Sequence, residues 1–251
     1  MKKLILYILL FILLMFLWQH FGSTNNHMKM LISSPSFCLD YFEENSRALW
    51  QATYTTLYES FLGLIIAVFF AFLLMILCFL FDGLYKFILP IILSSQVIPL
   101  ITLAPFFIIW LGIGVESKIA LVAIISFYPI FLNFSTGYNS IPTTIFELME
   151  IYKAKNKFRI LKVYFPLSLQ NIFTGLKISA TLSVIGAIVA EFTGAKVGIG
   201  KNLLLTSIRI EPELMMISIF LSALIGGTLF GVIYGLERIL GKWYINDKRI
   251  K

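Results

Sequence analysis

An otherwise very apolar chain is interrupted by one charged, basic stretch, Glu147-Leu-Met-Glu-Ile-Tyr-Lys-Ala-Lys-Asn-Lys-Phe-Arg-Ile-Leu-Lys-Val-Tyr-Phe-Pro166. Apolar runs long enough to cross a bilayer lie on both sides, so this stretch is predicted to be a loop in water. Its acidic start, helical middle and final proline predict a short helix over 147–158 on which a soluble partner docks. One ten-residue part of this stretch, 153–162, contains five cations: Lys153, Lys155, Lys157, Arg159 and Lys162.

The composition of the chain predicts an integral membrane protein. Of its 251 residues 59% are hydrophobic and only 13% are charged, about half the charged fraction of a soluble domain. The apolar runs are too long for barrel strands, so the spans are predicted to be helices. The net charge of +7 does not indicate a nucleic-acid partner, because the cations lie next to the spans, where topology rules place them.

The predicted fold is all-α and polytopic, with six transmembrane helices. The first apolar run follows Met1-Lys-Lys as in a signal peptide, but it stays bulky to Trp18 and no cleavage site follows, so an uncleaved helix is expected. Residues 1–251 are expected to form a single transmembrane domain with a core over 50–240 and a cytoplasmic loop over 138–173. The six spans are placed near 4–22, 56–80, 86–112, 118–137, 174–193 and 214–236.

The distribution of lysine and arginine predicts the orientation. With both termini inside, 14 of the 20 Lys and Arg residues belong to inner segments and 6 to outer ones. Inner segments of membrane proteins carry the excess of these cations. Both termini and the loop 138–173 are therefore expected in the cytoplasm, and Cys38 in an outer loop.

The third predicted span contains three prolines, Pro90, Pro99 and Pro105, with several polar residues among them. A kinked helix buried in protein and a helix that lines a polar path both fit this pattern. The sixth predicted span carries Gly227, Gly231 and Gly235 on one face, which allows close approach of another helix. Packing within one subunit is expected there rather than a dimer contact.

Polar residues inside the membrane are candidates for function. Gln96, Asn133 and Glu191 are singled out here as candidate pathway residues, although Gln96 and Asn133 could also only hydrogen-bond between helices. Glu191 is expected at the outer end of the fifth span, where an interfacial acid and a contact to an external binding protein both remain open.

Catalytic, metal and cofactor sites are not expected in this chain. Residues 195–202 nearly match a phosphate-binding loop, but Ala195 and Asn202 occupy the places of its first glycine and its Ser/Thr, so ATP binding is excluded there. His20 and His27 have no cysteine or acidic residue at metal-ligand spacing. No serine or cysteine is paired with a histidine for nucleophilic catalysis.

The charged stretch resembles the cytoplasmic loop with the Glu-Ala-Ala motif of bacterial ABC importer permeases. Glu147 takes the Glu place of that motif, and Pro166 takes its final Pro place at the same spacing. Lys153 stands where the motif has glycine, which puts the bend after the docking helix in question. The other motif places are held by Leu148, Met149, Val163 and Phe165.

Four further stretches resemble the nitrate, sulfonate and taurine subfamily of these permeases in the same order. The match covers about residues 31–240. The stretches are Ile32-Ser-Ser-Pro-Ser36, Ile98-Pro-Leu-Ile-Thr-Leu-Ala-Pro-Phe-Phe-Ile-Ile-Trp-Leu-Gly-Ile-Gly114, Phe127-Tyr-Pro-Ile-Phe-Leu-Asn133, and Ala190-Glu-Phe-Thr-Gly194 with Gly198-Ile-Gly200.

The resemblance implies a type I importer permease in the bacterial inner membrane. Two copies, two separate ATP-binding subunits and an extracytoplasmic solute-binding protein would form the transporter. It also implies an ATPase-coupling site with Glu147 at the helix start, and a small anion or a thiamine-precursor pyrimidine as substrate. The remaining residues of that site are Leu148, Met149, Ile151, Tyr152, Lys153 and Pro166.

An integral membrane enzyme and a secondary carrier without an ATPase partner are the alternatives. An enzyme would need acidic residues or a histidine pair near an inner cleft. A carrier would usually show a symmetric repeat or an intramembrane charge pair. The sequence shows neither pattern, so the importer is favoured.

Overall fold

The computed structural model describes residues 2–24, 33–81 and 83–245, and its regular structure over these ranges is entirely helical. Four helices are long and apolar enough to cross a bilayer, and two shorter apolar helices accompany them in the part described. The helices are α1 (Lys2–Thr24), α2 (Pro35–Leu80), α3 (Leu84–Ser95), α4 (Leu103–Leu111), α5 (Val115–Asn139), α6 (Thr143–Ile151), α7 (Asn156–Phe158), α8 (Phe165–Phe192), α9 (Ile199–Arg209) and α10 (Pro212–Ile245).

Helix α2 begins about 20 residues before the predicted second span. Pro35 occupies its first turn, where the missing N–H of proline costs no hydrogen bond. Its 46 residues correspond to about 70 Å of helix, more than twice the thickness of the hydrocarbon layer. Cys38 lies in this helix and is buried, so its expected place in an outer loop is wrong.

The third predicted span is not one helix. It consists of α3, a 3₁₀ turn over Leu100–Thr102 and α4, and residues 96–99 connect the first two. Pro99 lacks the N–H that would continue a helical ladder. Only Ile92 in α3 and Ala104 in α4 are buried, so a helix buried within this subunit is not what the chain forms here.

Helices α5 and α8 form the centre of the bundle, and α2 packs against both. Glycines of α8 permit this close approach, because a Cβ on Gly175 would come within 2.8 Å of the Pro129 carbonyl oxygen of α5. The buried aromatic residues Phe131 and Phe134 of α5 fill the same layer. The bundle is therefore held by close backbone contact and by dense apolar packing.

The glycine face of α10 is open toward the rest of the described chain. A Cβ built on Gly227, Gly231 or Gly235 would meet no heavy atom within 4 Å among the described residues. The expectation that this face packs inside one subunit is therefore wrong.

The packing distinguishes two ends of the bundle. The end of α2, the end of α5, α6 and the start of α8 meet at one end, which we call the docking end. The chain segments near Thr56, Lys118 and Glu191 meet at the opposite end, where α9 begins.

Candidate functional site

The docking end presents α6, a two-turn helix that begins directly after Pro142. The proline fixes an extended backbone ahead of Thr143 and so defines the start of the helix. Glu147 therefore lies in the middle of α6 and not at its start, and the helix ends at Ile151 instead of continuing to 158. Both predicted limits are wrong. The helix begins earlier than predicted, directly after Pro142, and it ends earlier, at a turn that follows Ile151.

The turn that ends α6 is a Schellman motif. The backbone N–H of Lys153 donates to the Glu150 carbonyl at 2.9 Å, and the N–H of Ala154 donates to the Met149 carbonyl at 3.0 Å. Lys153 has a φ of 47°, the left-handed conformation that this motif requires and that glycine adopts most easily. Lys153 thus reproduces the backbone turn that a glycine would permit.

Arg159 supports the same turn from the following segment. Its Nε donates to the Ala154 carbonyl at 2.8 Å, and its Nη2 donates to the Met149 carbonyl at 3.2 Å. A cation at the C-terminus of a helix also interacts favourably with the helix dipole. In the sequence Arg159 does not differ from the other four loop cations, because a contact five to ten residues back along the chain has no sequence signature.

Helix α6 has no buried residue and exposes apolar side chains beside an open groove. Ile151 is 79% exposed and Tyr152 is 74% exposed. These large apolar side chains at the end of a membrane bundle indicate a surface that another molecule covers. We define the docking surface by the residues that line the groove, together with Ile151: Leu148, Met149, Tyr152, Ala154, Lys155 and Phe158.

Glu147 is exposed on α6, while Pro166 is half-buried in the first turn of α8. Between them, α7 and a π-helical turn over Arg159–Tyr164 continue directly into α8, so that one helical segment runs over Asn156–Phe192. Short π-helical turns of this kind occur frequently at functional sites. The docking surface is thus attached directly to a membrane span.

Glu191 is the centre of a buried polar cluster at the opposite end. Its carboxylate accepts a hydrogen bond from Thr56 Oγ1 at 2.6 Å and another from the backbone N–H of Gly200. The hydroxyl of Thr56 also accepts from the N–H of Ile199 at 2.9 Å. Because these N–H groups belong to the first turn of α9, Glu191 and Thr56 together cap that helix.

The glycines at the start of α9 allow this contact. A Cβ on Gly198 would collide with the Glu191 carboxyl group, and a Cβ on Gly200 would collide with the Ile188 carbonyl oxygen and with Glu191. Gly198 also has a φ of 150°. The Ala-Glu stretch and the Gly-Ile-Gly stretch are therefore two halves of one structural unit.

A second acidic residue lies beside this unit. Glu59 is completely buried, and Lys118 Nζ contacts its Oε1 at 3.1 Å. Glu59 was not among the predicted site residues, although a single glutamate four residues into an apolar span indicates a candidate functional residue.

Gln96 and Asn133 have different surroundings. Gln96 is exposed where α3 ends. Asn133 is half-buried, and its Nδ2 donates to the Pro129 carbonyl of its own helix at 2.8 Å. A Cβ on Gly175 would touch Asn133 Cβ, so Asn133 lies at the contact between α5 and α8.

Residues of the types that bind metal ions do not form a site in the described part of the chain. Within these ranges, no group of three or more His, Cys, Asp or Glu residues could hold a metal ion. His20 stacks on Phe16 in α1, and His27 lies outside the described residues.

Comparison with known proteins gives a consistent family assignment. The family described as binding-protein-dependent transport system inner membrane component matches residues 84–245. The formylaminopyrimidine transport permease protein ThiX of Halalkalibacterium halodurans is 28% identical over 94% of each chain. The riboflavin transport system permease protein RibX of Chloroflexus aurantiacus is 31% identical over 92% of this chain and 87% of its own.

A further curated relative matches over a shorter stretch, and a solved transporter shares the fold. The putative aliphatic sulfonates transport permease protein SsuC of Bacillus subtilis is 29% identical over 61% of this chain and 56% of its own. An inward-facing structure of the MetNI methionine ABC transporter aligns with a TM-score of 0.61 at 20% identity, over 77% of this chain and 94% of the other. At that identity the structural likeness shows the fold alone.

Proposed function

The chain belongs to the family of binding-protein-dependent transport inner membrane components, and on this premise we propose how it takes part in transport. It is the transmembrane permease subunit of an ATP-driven importer, of the nitrate, sulfonate and taurine type. Its proposed partners are an ATP-binding subunit, an extracytoplasmic solute-binding protein and a second copy of itself. ATP hydrolysis is assigned to the separate ATP-binding subunit, and transport to alternating access by rigid-body movement.

The observation that carries this proposal is the exposed docking surface on α6. An ATP-binding subunit that covered Ile151 and Tyr152 would remove two large apolar side chains from water. Interface energy concentrates in a few such anchors. The exposed Glu147 carboxylate would meet a cation on the partner, a contact that is stronger when it is desolvated.

The test replaces two residues of the docking end. After affinity purification, permease with Glu147→Arg and Tyr152→Ala should carry about one tenth of the wild-type amount of ATP-binding subunit, or less. The loss of one anchor and the reversal of one charge should weaken the binding free energy by more than about 1.4 kcal/mol. Uptake should fall accordingly. The amount of permease in the membrane should stay unchanged, because both positions are exposed.

The matched control makes the same changes at the opposite end. Glu44→Arg with Tyr54→Ala alters an exposed acid and a tyrosine that is 69% exposed, and the ATP-binding subunit should remain bound. Full retention of that subunit and normal uptake in the docking-end variant would refute the docking proposal.

We propose that both termini and the loop 138–173 lie in the cytoplasm, as the distribution of cations predicts. The docking end then faces the ATP-binding subunit, and the end with Glu191 faces the solute-binding protein. A single domain over 1–251 with a core over 50–240 is part of the same proposal, as is residence in the bacterial inner membrane. The open glycine face of α10 is available to a second copy.

The proposed substrate is a small anion or a small organic nutrient. Relatives are named for transport of formylaminopyrimidine, aliphatic sulfonates, taurine and nitrate, and one is named for riboflavin. We infer the class from these names only, because the solute-binding protein selects the substrate before the permease meets it. Sulfonate, taurine, nitrate and thiamine-precursor pyrimidine are the proposed members.

Gln96 and Asn133 remain proposed pathway residues. Gln96 is exposed at the break between α3 and α4, where irregular backbone is compatible with a polar path. Glu191 remains a third candidate, and we propose that it acts by holding α9 in place, since only 1% of its surface is accessible.

A further inference from the structure

Phe146 is the side chain of α6 that points toward the membrane helices. Its ring lies 5.5 Å from the ring of Tyr138 in an edge-to-face arrangement and 5.3 Å from the ring of Tyr164. Residues two apart on a helix differ by about 200°, so Phe146 and Leu148 face opposite ways. One side of α6 is thus exposed at the docking surface, and the other side contacts the bundle.

The two tyrosines connect Phe146 to the other helices. The ring of Tyr138 at the end of α5 lies 4.6 Å from that of Phe79 in α2 and 5.3 Å from that of Tyr164. The rings of Phe79 and Tyr164 are 5.6 Å apart. We call Phe79, Tyr138, Phe146 and Tyr164 the aromatic cluster, in which every member contacts at least two others.

The aromatic cluster continues into the core. Phe79 contacts Phe134 of α5, which contacts Phe72 of α2 and Phe165 of α8. Aromatic pairs at these distances contribute attraction beyond the area that they bury. The contacts join α6 to the three central helices through rigid rings, and packed cores transmit displacement because they deform little.

We propose that Phe146 is the positioning residue through which a displacement of α6 reaches α2, α5 and α8. This inference rests on the proposed function, in which the ATP-binding subunit moves α6. The chain on either side of α6 also connects it to the bundle, and Arg159 stabilises the turn after it. Phe146 differs from these connections because it joins the middle of α6 both to α5 and to the π-helical turn that continues into α8.

The first test measures coupling in the assembled transporter. Phe146→Ala should retain the ATP-binding subunit, because the docking surface is unchanged. The number of substrate molecules transported per ATP hydrolysed should fall at least about fivefold, the change expected from losing two ring contacts. Phe146→Tyr should restore most of the coupling, since it keeps the ring.

The matched control is Phe69→Ala in α2. Phe69 is 61% exposed and has a ring contact with Phe70 of its own helix, so its removal deletes an aromatic side chain without separating α6 from the bundle. Coupling should remain at the wild-type value in this variant.

The second test uses the permease alone and needs no partner. Amide hydrogen exchange of residues 143–151 should be about tenfold faster in Phe146→Ala than in wild type, because α6 opens more often without its ring contacts. Exchange in α8 beyond Phe165 should be unchanged.

The inference is overturned if Phe146→Ala leaves both the coupling ratio and the exchange of α6 at wild-type values. It is also overturned if the variant loses the ATP-binding subunit, because Phe146 would then serve docking and not transmission. Failure of the proposed function differs from both outcomes, since the wild-type permease itself would then retain no ATP-binding subunit.

Discussion

Glu191 illustrates how one side chain organises its surroundings. A buried carboxylate is costly unless donors surround it, and here Thr56 and the first turn of α9 supply them. A larger residue opposite the carboxyl group would keep these donors away from it and leave the buried charge without partners, so small residues are needed there. Gly198 and Gly200 leave the space in which the backbone N–H of Gly200 reaches Glu191.

Gly200→Ala should therefore destabilise the permease. The added methyl group would meet the Ile188 carbonyl oxygen and Glu191, and overpacking of this kind costs about 1–3 kcal/mol. The melting temperature in detergent should fall by on the order of 5 °C.

The control for this change is Gly241→Ala. Among the described residues a Cβ at Gly241 in α10 would meet nothing within 4 Å, so the substitution should leave the melting temperature unchanged or raise it slightly. Equal melting temperatures of the two variants would contradict the assigned role of Gly200.

Glu191 and the two glycine stretches are distinctive in the sequence, but the sequence does not show that they contact each other. Glu191 and Gly200 are separated by a turn, whereas Thr56 approaches from a helix 135 residues earlier in the chain. Charge and spacing identify an unusual residue in a span, but a contact between distant helices follows only from the packing. A single glutamate in a span marks Glu59 in the sequence, but its contact with Lys118 of another helix follows only from the packing.

Helix α6 shows at the scale of one element what local sequence signals determine. Its existence, its exposed apolar side and its place after a long span were predicted. Its limits were wrong by several residues, because Pro142 starts the helix earlier and a left-handed residue ends it sooner. A lysine in that conformation has no sequence signature, since glycine and asparagine are the usual residues there.

Lys153→Gly should preserve the turn and slightly stabilise α6. Glycine adopts the left-handed conformation without the steric cost of about 1 kcal/mol that a Cβ brings, and the two turn hydrogen bonds use only backbone atoms. Binding of the ATP-binding subunit and uptake should equal those of wild type.

Lys153→Val is the informative comparison. A β-branched residue at positive φ is a steric outlier, so the turn should be disrupted and less ATP-binding subunit should be retained. Disturbed coupling in Lys153→Gly would instead assign the lysine side chain a direct contact with the partner.

Over the described residues the molecule follows the predicted all-helical plan, with two departures. Long apolar runs predicted the bundle, because only helices satisfy the backbone along such runs in lipid. The third run breaks into α3 and α4, since Pro99 lies between them and lacks the N–H that would continue the hydrogen-bond ladder. Helix α2 extends beyond the apolar run that predicted it, because residues 35–55, with their four charged side chains, are also helical. A search for long apolar runs does not detect such a segment.

The two ends of the bundle offer a test of orientation. Cys38 is unsuitable as an outer marker because it is buried in α2. Glu44 is exposed on the same helix and Lys155 is exposed at the docking end. On a background in which Cys38 and Cys78 are replaced by alanine, Glu44→Cys should react with a membrane-impermeant maleimide added to intact cells.

Lys155→Cys should react with the same reagent only after the membrane is permeabilised. The excess of cations predicted on the inner side requires this result. In the opposite membrane orientation the five cations of residues 153–162 would lie outside. Equal labelling of the two variants in intact cells would contradict the orientation. It would also remove the ATP-binding subunit from reach of the docking surface, so this measurement bears on the coupling proposals as well as on topology.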